Sequence, residues 1–218
     1  MPETVQQYEQ LLEDADFLQA AAASLRLVGV CLCEYPSEPD AAQAIAAFRS
    51  MDVAEDWPFG EPGQRSRAAE LLREGEQEDD AALKAEFARM FRGPNVLPAA
   101  PWGSVYMDRD QVRYGCTWLD LRNWMRARHV EAHYALKEPE DQIGRLLVMC
   151  SEVALERPDV LRELLGEHVL TWAFHYLDAF DAAVGSPTYA AVSALARITL
   201  EDLGDLLAVD VAVKRFYR

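Results

Sequence analysis

Two carboxylates stand three residues apart in the segment EPEDQIG, at Glu138 and Asp141. Such a pair could act as a general acid and base, or it could bind a cation at the mouth of a groove. A structural interpretation also accounts for them, because Pro139 suits the first turn of a helix and acidic side chains there are stabilised by the helix dipole. We favour the structural interpretation and keep cation binding as the functional alternative.

A long segment rich in proline and aromatic residues, Met90 to Asp110, interrupts the middle of the chain. Segments of this kind in compact domains usually either carry a function or are disordered. The apolar side chains of this one favour an ordered loop. Single aromatic residues usually belong to a core, but Trp102, Tyr106, Trp118 and Trp124 together could line an apolar groove that binds a hydrophobic peptide.

Other patterns for catalysis or metal binding are weak. The sequence has no G-x-S-x-G, no glycine loop for phosphate and no H-E-x-x-H. His129 and His133 are spaced by one helical turn with Glu131 between them, but no further ligands accompany them, so we predict no metal. Cys31 and Cys33 lie in an apolar run and are expected in the core. These residues thus offer no pattern typical of an active site, a metal site or a cofactor site.

The charge balance restricts the partners. Acidic residues number 37 and basic residues 21, which gives a net charge of -16. This charge opposes binding to nucleic acid and to anionic lipid and favours a cationic partner. The N-terminal sequence shows no export signal, and we expect no apolar segment long enough to span a membrane. We therefore expect a cytoplasmic protein without stable membrane insertion, whose four cysteines stay reduced.

The elements that must position these residues are helices. Apolar residues recur at helical spacing through most of the chain, and proline and glycine separate the segments. We predict one all-α domain over residues 1–218, a bundle of roughly eight to ten helices with a long Pro-Trp loop. Thr117 is expected to cap one helix, with Asp120 completing a capping box. Residues 127–137 are expected to form a connection, either a loop or a hinge for helix exchange between protomers, with a monomer as the simpler expectation.

Several linked motifs resemble one known family. They are FARMFRGPNVLPAAPWGSVYMDRDQVRYGCTWLDLRNWMR, then EPEDQIGRLL, then HVLTWAFHYLDAF. The specific elements are Phe91 with Gly93-Pro94, Leu97-Pro98, the run from Pro101 to Tyr106, and Glu138-Pro139 with Asp141 and Gly144. In this order they resemble the TorD/DmsD family of cytoplasmic chaperones for molybdenum-containing redox enzymes, and its DmsD branch most closely. The resemblance covers residues 87–207.

The resemblance implies an all-helical protein that is not an enzyme, needs no cofactor and binds the twin-arginine signal peptide of an apo-oxidoreductase of the dimethyl sulfoxide reductase type. Holding that peptide would delay Tat export until cofactor insertion and folding are complete, and the Tat translocase is a second candidate partner. The family's Pro-Trp loop and its E-P-x-D-H motif imply a peptide-binding site, carried over here to Pro98, Trp102, Ser104, Tyr106, Glu138, Pro139, Asp141 and Gln142. Gln142 replaces the family's usual His, and an amide does not titrate near neutral pH as an imidazole does.

Two alternatives stay open. An assembly chaperone of the nitrate reductase type could bind a mature region of the client instead of its signal peptide. A small helical enzyme or nucleotide-binding protein could use the carboxylates of Glu138 and Asp141, although no phosphate-binding pattern supports it. The physical expectation agrees with the resemblance, because carboxylates that pair with arginine guanidinium groups beside an apolar groove would suit a basic segment followed by an apolar one.

Overall fold

The computed structural model describes residues 2–93, 96–131 and 138–218. In these ranges the regular structure is helical, and no strand is formed. Twelve α-helices occur, together with two π-helical turns, Ala88–Arg92 and Leu165–Val169, and a 3₁₀ turn, Pro158–Val160. The α-helices are α1 Pro2–Glu13, α2 Ala15–Cys33, α3 Pro39–Ser50, α4 Val53–Asp56, α5 Pro62–Gly75, α6 Asp80–Phe87, α7 Gly103–Met107, α8 Cys116–Arg128, α9 Ile143–Glu156, α10 Leu161–Leu164, α11 Ala173–Asp181 and α12 Pro187–Leu206.

The centre of the fold is the close contact between α2 and α9. Gly29 and Gly144 face one another there, and a Cβ placed on Gly29 would lie 2.8 Å from the Gly144 carbonyl oxygen. Without side chains at these two positions the helix backbones can approach closely, so the surrounding leucine, valine and cysteine side chains form a continuous core. Helix α12 covers α2 on another side and also packs on α5.

The all-α prediction is confirmed, although twelve helices in the described residues exceed the expected eight to ten. The excess comes from short helices such as α4 and α10, which carry too few residues to show a periodic pattern. Cys31 and Cys33 are buried in the core, as expected, and burial raises the pKa of both thiols, that of Cys33 to about 12.

The predicted cap at Thr117 is wrong. Helix α8 begins at Cys116, with Gly115 at the N-cap position. The Thr117 hydroxyl donates to the carboxylate of Asp108 at 2.5 Å, and the Thr117 backbone N–H donates to the same carboxylate at 3.0 Å. Asp108 therefore supplies the anchoring oxygen from a preceding turn, because a side chain ahead of the helix can satisfy its first N–H groups as well as a capping residue does.

The expectation that no apolar segment is long enough to span a membrane is also wrong. Helix α2 has 19 residues and a mean hydropathy of 1.4, which by length and composition alone would suffice. However, 61 % of this segment is buried inside the protein, where it packs on α9 and α12. Its apolar character is therefore accounted for by its position in the core.

Some sequence-based expectations fall outside the described residues. These are Pro94 of the Gly93-Pro94 pair, His133 of the histidine pair, and most of the connection expected over residues 127–137. At the described start of that connection, His129 ends α8 in the left-handed conformation with φ 55°. Its backbone N–H donates to carbonyl oxygens in the last turn of α8, so His129 is the C-cap residue of this helix.

Candidate functional site

The Pro-Trp loop is fixed to the segment that precedes α9. Trp102 and Gln142 form an antiparallel backbone bridge. Around it, Gly103 N–H donates to the Asp141 carbonyl oxygen at 3.1 Å, and Ile143 N–H donates to the Pro101 carbonyl oxygen at 2.8 Å. The loop and the EPEDQ segment, joined by residues that are 38 to 42 positions apart in the chain, thus behave as one backbone unit.

Asp141 fastens this unit through its side chain. Its carboxylate accepts a hydrogen bond from the backbone N–H of Ser104 at 2.8 Å, at the start of α7, while the other carboxylate oxygen has no partner among the described residues. The side chain is only 2 % exposed. Burial raises the pKa of Asp141 to about 6, and the hydrogen bonding at Ser104 opposes that rise only in part.

Gln142 is the N-cap residue of α9. Its side-chain oxygen accepts from Arg145 N–H at 2.9 Å, and its side-chain amide donates to the Leu32 carbonyl oxygen at 2.7 Å, near the end of α2. A neutral amide can be donor and acceptor at once. Helix α9 therefore begins later than expected, after the acidic residues, and Glu138, Pro139 and Asp141 lie in the turn ahead of it.

Glu138 is less buried than Asp141 and is already paired. Arg92 donates to its carboxylate, and the second guanidinium nitrogen of Arg92 donates to the Cys33 carbonyl oxygen at 3.3 Å. The Arg92 guanidinium also lies 5.7 Å from the centre of the Phe87 ring. The Glu138 side chain is 19 % exposed, so an external guanidinium could share this carboxylate without unfolding the turn.

A third acidic residue, Glu140, was missed by the sequence analysis as a site residue. Its carboxylate accepts from the Trp118 indole at 2.5 Å and from Arg122. Burial raises the pKa of Glu140, but these two donors outweigh it, so the pKa lies below the usual value and the group stays ionised. Nothing in the sequence distinguishes Glu140 from its acidic neighbours, because its role depends on where α8 comes to lie.

An open groove lies against the Pro-Trp loop. Its volume is about 470 Å³, and it is lined mostly by apolar side chains and the aliphatic parts of polar ones. The lining residues, called here the Trp102 groove, are Leu97, Ala100, Trp102, Val105, Gln111, Val112, Arg113, Tyr114 and Arg218. Val112 and Tyr114 are each about half exposed, at 50 % and 51 %, so the groove offers apolar surface that the fold itself leaves uncovered.

The walls of the Trp102 groove differ in character. On one side the Arg113 guanidinium lies 4.8 Å from the centre of the Trp102 ring. On the other, Tyr114 contacts Trp118 edge-on with ring centres 5.1 Å apart, and Trp118 in turn reaches Glu140. Tyr114 is held at φ 64°, which is unusual for a bulky residue. The lining is thus mostly apolar and includes two cations, Arg113 and Arg218, while the Glu140 carboxylate is linked to it through Trp118 and Tyr114.

The predicted site residues divide into three sets. Trp102 lines the groove, and Pro98 is exposed in the same loop. Glu138 is reachable from solvent. The remaining members, buried where they brace the loop, are Ser104, Tyr106, Pro139, Asp141 and Gln142. Of the other aromatics considered, Trp124 packs against His168 in the core, with ring centres 5.5 Å apart.

This arrangement suits the binding of a peptide. Among the described residues no group of three or more His, Cys, Asp or Glu side chains is placed to hold a metal ion. The carboxylate of Asp141 accepts from a backbone N–H, and those of Glu138 and Glu140 accept from guanidinium groups, so each has a structural partner. What remains available is the mostly apolar Trp102 groove, which can accommodate an extended peptide with apolar residues.

Comparison with known proteins places the chain in a family. Residues 61–178 match the family model described as nitrate reductase delta subunit. The Tat proofreading chaperone DmsD of Salmonella typhimurium is 33 % identical over 198 residues, which cover 90 % of this chain and 95 % of that protein. The chain belongs to the TorD/DmsD family of redox enzyme maturation chaperones.

Further similarities agree with this DmsD-like assignment. A protein of Haemophilus influenzae assigned the same DmsD name is 31 % identical over 202 residues, covering 92 % of this chain and 98 % of that protein. A crystal structure of a proposed redox enzyme maturation protein from Archaeoglobus fulgidus has a TM-score of 0.54 and 19 % identity, over 81 % of this chain and 92 % of that one, and so supports the fold. The DmsD relatives are named as chaperones and not as catalysts, which agrees with the expectation of a non-enzymatic protein.

Proposed function

We propose that this protein is a cytoplasmic chaperone that binds the twin-arginine signal peptide of a molybdenum-containing oxidoreductase of the dimethyl sulfoxide reductase type. Holding the peptide delays Tat export until the cofactor is inserted and the client is folded. The observation that carries the proposal is the Trp102 groove, an apolar surface of about 470 Å³ left open in a DmsD-like chain.

The apolar part of the signal peptide lies in the Trp102 groove. Trp102, Val112 and Tyr114 provide apolar contact area there, and each square ångström of apolar surface removed from water contributes about 25 cal/mol. Two of these three side chains are half exposed before binding. Their contact surface is therefore available without a rearrangement of the core.

The arginines of the signal peptide pair with carboxylates beside the groove. Glu138 is the direct anchor, since its side chain is partly exposed although it already pairs with Arg92. Asp141 acts indirectly, because its buried carboxylate sets the position of Ser104 and so of the loop. Glu140 adds a negative charge behind Tyr114. The net charge of -16 speeds the encounter with the basic peptide.

The structural residues of the predicted site support the groove from behind. Tyr106 stacks on Trp172 with ring centres 5.9 Å apart, and Gly103 fits against the same indole, where a Cβ would lie 2.8 Å from the ring. Gln142 ties the loop to α2 and α9. A peptide bound to the loop is therefore held on a surface that is continuous with the core.

The test compares three forms of a client from the same organism: the full precursor, the precursor without its signal peptide, and the signal peptide alone. Pull-down with the purified chaperone should recover the precursor and the signal peptide and lose the truncated form. Equal recovery of the truncated form would instead favour recognition of a mature region, which is the alternative within the same class of function.

A further inference from the structure

The segment after α12 contrasts with the rest of the molecule. Residues 211–218, VAVKRFYR, contain three basic residues and no acidic one, in a protein of net charge -16. They form no helix, and the alternation of β-branched and other residues at their start favours an extended backbone. We call residues 209–218, which also include Asp210, the basic segment.

The basic segment is turned back onto the body of the protein. Ala208 takes the left-handed conformation at φ 47°, and Arg162 donates to the carbonyl oxygens of Leu207 and Ala208, at 2.7 Å each. The chain then crosses Gly166, where a Cβ would overlap the Asp210 carbonyl oxygen. Only a residue without a side chain at position 166 allows this crossing.

From Gly166 the basic segment extends to the Pro-Trp loop, and its N–H groups donate to backbone carbonyl oxygens of the protein surface. Ala212 N–H donates to the Gly166 carbonyl oxygen at 3.0 Å, and Tyr217 N–H donates to the Tyr106 carbonyl oxygen at 2.8 Å. The Arg218 guanidinium donates to the Leu97 carbonyl oxygen at 3.3 Å. Such contacts recognise any extended peptide, because they are made by main-chain atoms of the receiving surface.

The basic segment reaches the Trp102 groove through Arg218 and through the backbone of Tyr217. Arg218 is one of the residues that line the groove, and Gln111, another of them, donates to the Tyr217 carbonyl oxygen at 2.5 Å. Outside the groove, Phe216 stacks on His175 with ring centres 4.6 Å apart. Tyr217 and Arg218 therefore contact the surface on which the apolar part of the client peptide is proposed to lie.

The side chains of the basic segment stay largely in solvent, although several hydrogen bonds hold the segment in place. Its side chains from Val213 onward are all exposed, and that of Val213 is 99 % exposed. Segments that bury little apolar surface and whose hydrogen bonds are exposed to solvent open at a lower free energy than global unfolding. The segment can therefore leave its surface while the helices stay folded.

We propose that the basic segment occupies, within the same chain, part of the surface on which the signal peptide docks, and that the peptide displaces it. This inference rests on the proposed function and adds a competing occupant to the same site. A segment docked in about nine of ten molecules would weaken the apparent affinity for the peptide about tenfold.

The first test measures signal-peptide binding by isothermal titration to the wild-type chain and to the double variant Phe216→Ala/Arg218→Ala. The double variant should bind several-fold more tightly, since it loosens the competitor. Val213→Ala, in the same segment with a fully exposed side chain, is the matched control and should bind as the wild type does. Unchanged or weaker binding by the double variant would overturn the inference, because the segment would then be a bystander or part of the binding surface.

The second test follows the segment directly by hydrogen exchange of the peptide that covers residues 209–218. Bound signal peptide should speed the hydrogen exchange of residues 209–218. If the signal peptide binds but the exchange of these residues is unchanged or slower, the segment is not displaced, and the proposed function still stands. If no signal peptide binds, the proposed function fails, and the inference is then tested with a synthetic peptide of sequence VAVKRFYR. Binding of this peptide to the double variant but not to the wild type would show that the chain's own segment occupies a peptide-binding surface. No binding to either protein would refute the inference.

Discussion

The carboxylate of Asp141 accepts a hydrogen bond from the backbone N–H of Ser104 at 2.8 Å while its side chain is almost wholly buried. This contact joins the turn before α9 to the first residues of α7. The second carboxylate oxygen has no partner among the described residues. Burial disfavours the ionised form of this carboxylate, and a hydrogen bond to only one of its oxygens compensates in part, so its pKa is raised.

Asp141 should therefore make the stability of the protein depend on pH. Its pKa is about 6 in the folded state and near 3.8 in the unfolded chain, so the folded state binds the extra proton between these values. Its contribution is fully present below about pH 4 and is lost as the pH rises through about 6, by an amount on the order of 3 kcal/mol.

Asp141→Asn tests this dependence. An asparagine oxygen can still accept from Ser104 N–H but does not titrate. In urea unfolding at pH 4, 5, 6 and 7, the free energy of unfolding of wild type minus that of the variant should fall with rising pH. A difference that stays constant over this range would contradict the burial of an ionisable Asp141.

Gly144 should be required for the contact between α2 and α9. A Cβ there would overlap the Gly29 carbonyl oxygen and lie 2.8 Å from Cys33 N, both of which are backbone atoms that cannot turn aside. Gly144→Ala is expected to lower the free energy of unfolding by about 1–3 kcal/mol or more. Gly63→Ala in α5 is the matched control, since nothing lies within 4 Å of its Cβ position.

Urea unfolding of both variants measures the difference. The control should be neutral or slightly stabilising, because alanine favours a helix by up to about 1 kcal/mol over glycine. Equal stabilities for the two variants would mean that the helix backbones at Gly29 and Gly144 are not in the close contact described.

Tyr114 should contribute directly to peptide binding. Its side chain lines the Trp102 groove and is half exposed, so Tyr114→Ala removes contact area without opening the core. We expect about tenfold weaker binding of a cognate signal peptide and an unchanged thermal midpoint of unfolding. Leu155→Ala serves as control, because Leu155 is similarly exposed, at 47 %, but does not line the groove. Similar affinities for the two variants would argue against the groove as the binding surface.

Much of the fold was predictable, because helical periodicity and breakers suffice for long amphipathic segments such as α9 and α12. The family resemblance selected the Pro-Trp loop and the EPEDQ segment as parts of one predicted site. Their bridge at Trp102 and Gln142 could not be predicted, since it depends on packing across the fold. For the same reason periodicity did not show that Asp141 is buried, that Glu140 contacts Trp118, or that the basic segment returns to the groove.

Glu138 should recognise arginine specifically. Glu138→Gln is expected to weaken binding of a twin-arginine peptide about tenfold, since hydrogen bonds between charged groups are stronger than those between neutral ones. The weaker binding of a peptide with both arginines replaced by glutamine should not change. Titration of both peptides to both proteins gives the coupling between Glu138 and the arginines. Glu163→Gln, which disrupts the surface ion pair with Arg128, is the control. Zero coupling would assign the arginines to another carboxylate.

The central claim is tested most directly by isothermal titration of the wild-type chain with twin-arginine signal peptides from molybdoenzymes of the same organism, each paired with a version in which glutamine replaces both arginines. The account predicts tight binding to at least one natural peptide and markedly weaker binding to its glutamine version. Failure of every natural peptide to bind to protein that is folded by circular dichroism, or equal affinity for a natural peptide and its glutamine version, would contradict it.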